Sequence, residues 1–226
     1  MRGERVRVGL VVAAAAAACA AVVPGLTHGF WRDEAATATV AIRSWSDLFR
    51  LLPKAEGGFA GYEVFIHAWV SVFGAGEGWL RVPSLLGAFV AIVASGLLAG
   101  RLGVRWAGPI TAVLLALHPT FVPFYGVEAR GYALGSGLVA LAALAARRAA
   151  DGERRFVGPT FCLTATAAIT MHFLIVLPVA AISLWILASA RADRRRVAWL
   201  VPPGIAAVGM YALTSRATVL QSWIAK

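Results

Sequence analysis

Charge is scarce in this sequence. Charged residues make up 14% of it, against about 25% in an ordinary soluble domain, while 60% of residues are hydrophobic and the mean hydropathy is +0.76. A chain of 226 residues cannot enclose that much apolar surface in one globular core. A water-soluble domain is therefore excluded, and lipid must cover the excess. Cysteine is nearly missing as well. Cys19 and Cys162 both sit inside apolar runs, which excludes a disulfide scaffold or a cysteine metal site and leaves two small packing residues. No internal repeat is visible, which argues against an inverted-repeat transporter.

What charge there is has one dominant sign. The chain has 21 Lys+Arg against 11 Asp+Glu, a formal net charge of +10. In a soluble protein this balance would suggest nucleic acid. In a membrane protein, basic residues collect in the short loops that stay in the cytoplasm, so no nucleic-acid partner is expected.

The pattern predicts an all-α fold, a polytopic bundle of about seven spans, with residues 1–226 forming a single transmembrane domain. MRGERVR followed by an apolar run has the layout of a signal peptide, but more spans follow, so 8–24 is read as an uncleaved first span. Residues 25–81 form an outer loop. In it, Ala35–Leu52 reads as an amphipathic helix with Arg43, Asp47 and Arg50 on one side. Tyr62–Phe73 is a second helix, too short to span and expected at the interface. Six further spans occupy 82–214: Val82–Ala99, Trp106–Phe124 (kinked by Pro119 and Pro123), Tyr132–Ala146, Phe156–Met171, Phe173–Ala190 and Val197–Leu213. A polar outer tail, 215–226, closes the chain.

Charge sets the orientation. With the N-terminus inside, the cytoplasmic segments are 1–7, 101–105, 147–155 and 191–196, holding three, two, four and four arginines. These are 13 of the 21 basic residues, against 4 of the 11 acidic ones. If Tyr62–Phe73 crossed the membrane, the parity would flip and these clusters would face outward, against the positive-inside rule. A multi-pass plasma-membrane protein with a cytoplasmic N-terminus is expected.

The unusual polar residues then fall on the outer face. Asp33 and Glu34, in WRDEAAT, are either first-turn caps of the next helix or a general base or divalent-metal ligand pair. Two adjacent carboxylates are too few to assert a metal. In YGVEARGY, Glu128 and Arg130 are either an ion pair in an aromatic belt or a phosphate-binding fork and its support. His172 is a turn histidine or a functional one. Arg81 reads as an interfacial anchor, and His67 and His118 as packing or cap residues.

In this order, WRDEAAT, GYEVFIHAWVSVFGAGEGWLRVPSLLGA, YGVEARGYAL and a His between short helices resemble the N-terminal half of GT-C-type glycosyltransferases. That family includes protein O-mannosyltransferases and bacterial relatives that glycosylate lipids or cell-envelope polymers. The resemblance implies an inverting transfer of a sugar, mannose or a similar hexose, from a polyprenyl-phosphate donor. Asp33 matches the catalytic base and Glu34 its supporting neighbour. Glu128 and Arg130 match the loop lining the donor site near the lipid phosphate, with Tyr132, Arg81 and His172 as further substrate-binding candidates. The chain departs from the family at Glu56, followed by GGFAGYE, where relatives carry an Asp or His. Family chains are longer, so the likeness implies a truncated product, a fragment, or one half of a split enzyme whose other half a second polypeptide would supply. Two other classes compete with an enzyme. A carrier of a lipid-linked solute would place ionisable residues mid-span, and almost none are there. A non-catalytic accessory subunit needs no site at all.

Overall fold

An apolar run in lipid must satisfy its backbone internally, and helices do so within one segment. In the computed structural model, which describes residues 2–189 and 194–216, every regular element is helical. Among the described residues eleven α-helices follow in order: α1 Arg2–Val22, α2 Arg32–Ala41, α3 Trp45–Leu51, α4 Ala60–Phe73, α5 Glu77–Gly100, α6 Ala107–Ala116, α7 Gly131–Ala150, α8 Val157–Met171, α9 Val176–Ser189, α10 Arg194–Ala198 and α11 Val201–Ser215. Among the described residues four stretches are long and apolar enough to cross a membrane: Gly3–Thr27, Glu77–Gly100, Gly131–Ala150 and Arg196–Ser215. Three shorter apolar helices accompany them, Ala107–Ala116, Val157–Met171 and Phe173–Ser189. The outward faces are oily, with Leu163 72% and Val208 70% exposed. Such faces suit lipid rather than water.

The centre of the bundle is α7, packed between α5 and α8. Small residues let these backbones approach, as membrane helices require in the absence of a hydrophobic drive between them. A Cβ at Gly87 would lie 2.3 Å from the Leu134 Cα, and one at Gly137 would lie 2.6 Å from the Gly87 carbonyl oxygen. The α1 helix packs on α5 and α6 through Val11, Ala15 and Cys19. Both cysteines are free thiols.

Several expected elements differ. The single helix over Ala35–Leu52 is two, because Ser44 is extended and its Oγ accepts the Asp47 N–H at 3.2 Å, starting α3 afresh. The α4 helix does not simply lie on the surface. Tyr62, Glu63 and Ile66 are fully buried and His67 nearly so, with Val72 and Phe73 exposed. The expected span Trp106–Phe124 stops as an α-helix at Ala116, and a single π-helical turn occupies Phe121–Tyr125. Pro119 and Pro123 explain this, since proline lacks a donor and disfavours helix in the residue before it. The expected end of one span at Ala190, arginine Arg191 and the tail beyond Arg216 lie outside the described residues.

Charge separates the bundle into two unlike ends. At one, Arg101 bonds Asp151 at 3.0 Å and Glu153 at 2.8 Å, and Arg196 donates to the Ala149 carbonyl at 3.1 Å. The segments read as cytoplasmic therefore meet in space. At the other end the residues singled out in the sequence converge.

Candidate functional site

Asp33 and Glu34 occupy the first turn of α2. Trp31, which precedes it, has no side-chain oxygen to cap the helix, and the Glu34 carboxylate reaches back to accept the Trp31 N–H at 3.3 Å. The capping reading thus holds for Glu34, but capping is the lesser part of its role. Its Oε1 accepts the Arg81 Nε at 2.9 Å and the Ala129 N–H at 2.8 Å, and its Oε2 accepts the Arg81 Nη2 at 2.6 Å. Arg81 also donates to the carbonyls of Leu26 at 2.8 Å and Gly29 at 2.5 Å. It is 4% exposed and Glu34 1%. An interfacial anchor would snorkel to water. Arg81 is instead a buried hub tying α5 to the loop after α1 and to α2, and its partner Glu34 carries the tie on to the 126–130 loop.

The same loop carries Glu128 and Arg130. It is pinned by Glu34 at the Ala129 N–H and by the Ser84 hydroxyl, which donates to the Arg130 carbonyl at 3.1 Å. Arg130 is buried, lies over the Phe59 ring at 4.2 Å and donates through Nη1 to the Thr37 Oγ1 at 3.1 Å. Thr37 passes its own proton toward Glu63 at 3.5 Å. Among the described residues the Nε of Arg130 and the Oε2 of Glu128 are buried without a hydrogen-bond partner. Buried orphans of this kind are costly, and they concentrate where function requires them. Gly131 follows because a Cβ there would lie 2.6 Å from the Met171 carbonyl.

Glu128 lines a cleft of about 490 Å³ together with Tyr132 and His172, against walls of Trp31, Phe121 and Phe124. Aromatic rings pack around it: Phe59 to His172 at 4.5 Å, Tyr132 to His172 at 5.4 Å, and Tyr125 to Tyr132 at 5.7 Å. Burial raises the Glu128 pKa from the ordinary carboxylate range to about 7. Arg130 opposes the rise, and the charges of Glu34 and Asp33 add to it. Burial, helped by the Arg130 charge, lowers the His172 pKa. Its Nδ1 accepts the Leu174 N–H at 3.2 Å. The neutral ring therefore carries its proton on Nε2, as a donor.

All seven residues singled out in the sequence lie at this end, but in three different settings. Glu34 and Arg81 are consumed by each other. Glu128, Tyr132 and His172 line the cleft, with Arg130 behind them. Asp33 is half-buried, outside the cleft lining yet near enough for its charge to act on Glu128. Its carboxylate makes no hydrogen bond or ion pair with a described residue. The adjacent acids therefore do not act as a chelating pair, because both Glu34 oxygens are already bonded. No group of three or more His, Cys, Asp or Glu side chains gathers among the described residues.

Sequence reading missed Thr37, Phe59, Glu63 and Ser84. Glu63 inside an apolar helix was the visible signal, since a buried acid in such a setting demands a polar neighbour. His67, bonded through Nδ1 to the Ala41 carbonyl at 2.8 Å, and His118, whose Nδ1 accepts the Thr120 N–H at 3.3 Å, are the packing and capping residues expected. No family model, curated protein or solved structure matches this chain.

Proposed function

We propose that this chain is a plasma-membrane glycosyltransferase of the GT-C type. It transfers a hexose such as mannose from a polyprenyl-phosphate donor to a cell-envelope acceptor on the outer face. The observation that carries the reading is the cleft, with its oily aromatic walls, and the buried Glu128 and Arg130 whose bonding is incomplete. An isoprenoid phosphate needs both parts, a dry apolar wall for the chain and charge-assisted donors for the phosphate.

Asp33 is the base in this scheme. It takes the proton of the acceptor hydroxyl as the oxygen attacks the anomeric carbon, and the bond from that carbon to the phosphate oxygen breaks. Leaving-group charge develops on the phosphate, where Arg130 supplies a fixed cation and His172 Nε2 a neutral donor. Glu128, with a pKa near 7, is largely protonated below neutrality and does not repel the phosphate there. Glu34 and Arg81 hold the loops that carry these groups and touch no substrate. The residues present do not suit a tightly bound divalent ion, and no step needs one.

The finer topology belongs to the same proposal. The three shorter apolar helices cross as well, giving seven spans, with the basic end cytoplasmic and the cleft outside. Cysteine labelling tests it in a Cys19→Ala/Cys162→Ala background. Ser46→Cys should react with an impermeant maleimide on intact cells, and Arg154→Cys only after lysis. Labelling of both from outside rejects it. The catalytic test is transfer from a radiolabelled polyprenyl-phosphate sugar in membranes. Asp33→Asn should lose about 100-fold or more, the usual contribution of a positioned base. Transfer at the parental rate would reduce Asp33 to a helix cap.

A further inference from the structure

The arginines of the basic end do more than mark orientation. Between α1, α5, α6 and α7 lies a cavity of about 380 Å³, bordered by Arg7, Arg101, Arg105 and Arg148 and by a single acid, Glu4. Arg101 and Arg148 share their charge with Glu153, at 2.8 and 2.7 Å, and Arg101 also with Asp151. Arg7 and Arg105 form no ion pair with a described residue, and Arg105 only lies over the Trp106 ring at 5.9 Å. Two cations therefore face the cavity uncompensated by a salt bridge.

The remaining wall is of the opposite character. Val8, Val11, Leu97 and Leu144 form it, with Gly100 beside them, while Gly96 and Gly108 let α1, α5 and α6 pack closely at its edge. A Cβ at Gly100 would meet nothing within 4 Å. Loop arginines serving orientation alone need only be solvated. They have no reason to converge from three separate stretches of chain on a hollow whose inner half is apolar. A phosphate oxyanion satisfies the charge, and a hydrocarbon chain attached to it satisfies the wall. Basic pockets between helices on the cytoplasmic side suit such head groups.

We propose that this cavity binds the phosphate head group of an anionic membrane lipid, with the upper acyl chain against the Val8, Val11, Leu97 and Leu144 wall. The proposal uses the membrane placement but not the transferase reading, so a null result for Asp33→Asn leaves it standing. The test uses the full chain in nanodiscs of phosphatidylcholine doped with phosphatidylglycerol, followed by native mass spectrometry of retained lipid. The parent should keep phosphatidylglycerol. Arg7→Gln/Arg105→Gln should lower its retention about 30-fold, from the usual contribution of two basic residues near a charged membrane surface. Gly100→Phe, which fills the hollow without changing charge, should lower it comparably at an unchanged melting temperature. Parental retention in either variant overturns the proposal, since charge alone or shape alone would then suffice. Displacement of the lipid from the parent by excess inorganic phosphate overturns it too, because the hollow would then prefer a free anion.

Discussion

Replacing Glu34 by Ala removes a carboxylate that accepts four hydrogen bonds, from Arg81 Nε and Nη2, Ala129 N–H and Trp31 N–H. Arg81 would keep two carbonyl partners but lose its counter-charge while still buried. Breaking a buried ion pair by removing one partner costs about 3–5 kcal/mol. The stranded Ala129 N–H falls within that figure, since an orphaned buried donor alone costs about 1–3 kcal/mol. A loss of about 4 kcal/mol is a large share of the 5–15 kcal/mol that stabilises a typical native state. For a chain of this size it lowers the melting temperature by roughly 8–16 °C. The assay is thermal unfolding in detergent, followed by size-exclusion fluorescence.

The counterpart is the double variant Glu34→Leu/Arg81→Met. With both charges gone no unpaired ion remains, and apolar replacements of a buried pair are often close to neutral. The double variant should therefore melt above Glu34→Ala despite carrying more changes. Asp33→Asn, one residue earlier, should leave the melting temperature within about 2 °C of the parent, as surface changes usually do. A Glu34→Ala protein as stable as Asp33→Asn would refute the buried-hub assignment. So would a double variant that melts below both of its singles.

Four further outcomes follow from the structure. Glu128 has its native pKa raised, so it binds its proton more tightly folded than unfolded, and its contribution to stability is present at low pH and declines as pH rises from about 4.5 toward 7. In the transferase reading, the KM for the donor should rise above pH 7 as Glu128 ionises, and Glu128→Gln should flatten that profile; an unchanged profile in the variant would remove Glu128 from the donor site. Gly87→Val places a side chain where the α7 backbone already lies, 2.3 Å away. It should abolish monodisperse elution, whereas Gly204→Val, with nothing within 4 Å, should elute as the parent does. Phe59→Leu takes away the ring beneath Arg130 at 4.2 Å; the loss of a desolvated cation–π contact, about 2 kcal/mol, should appear in stability, and an unaltered melting curve would count against it.

The helices of the bundle were readable because lipid imposes one rule on every apolar run. The runs at Val82–Ala99, Tyr132–Ala146 and Phe156–Met171 all became helices with ends close to those expected, lengthened where the charged flanks joined in. Reading failed where local chemistry opposed the run. Ser44 offered a cap in mid-helix, and two prolines cut short the regular part of Trp106–Phe124. At the site, Glu34 and Glu128 stood out as acids beside apolar stretches. The pairings of Glu34 did not, because Arg81 lies 47 residues from it and Ala129 lies 95 away. One sequence contains no record of such pairings, and an arginine at a span end reads equally well as an anchor.

The two ends of the bundle differ in how their charges are held. Both are rich in arginine and carboxylate, and composition alone would treat them alike. Around Glu34 the charged groups of Arg81, Glu128 and Arg130 are buried, and the Glu34–Arg81 pair is fixed by backbone carbonyls and amides, so its geometry is set before any ligand arrives. At the basic end the pairs are half-exposed: Arg101 is 34% and Asp151 29% accessible, and pairs of that kind contribute about 0–1 kcal/mol. Such weak pairs can exchange a carboxylate for a phosphate at little cost, whereas the Glu34–Arg81 hub cannot. A rigid set of charges suits transition-state stabilisation, in which reorganisation is what must be avoided. An exchangeable set suits reversible capture of an anionic head group. Burial, more than charge, thus divides the molecule into an end built to hold one geometry and an end able to trade partners.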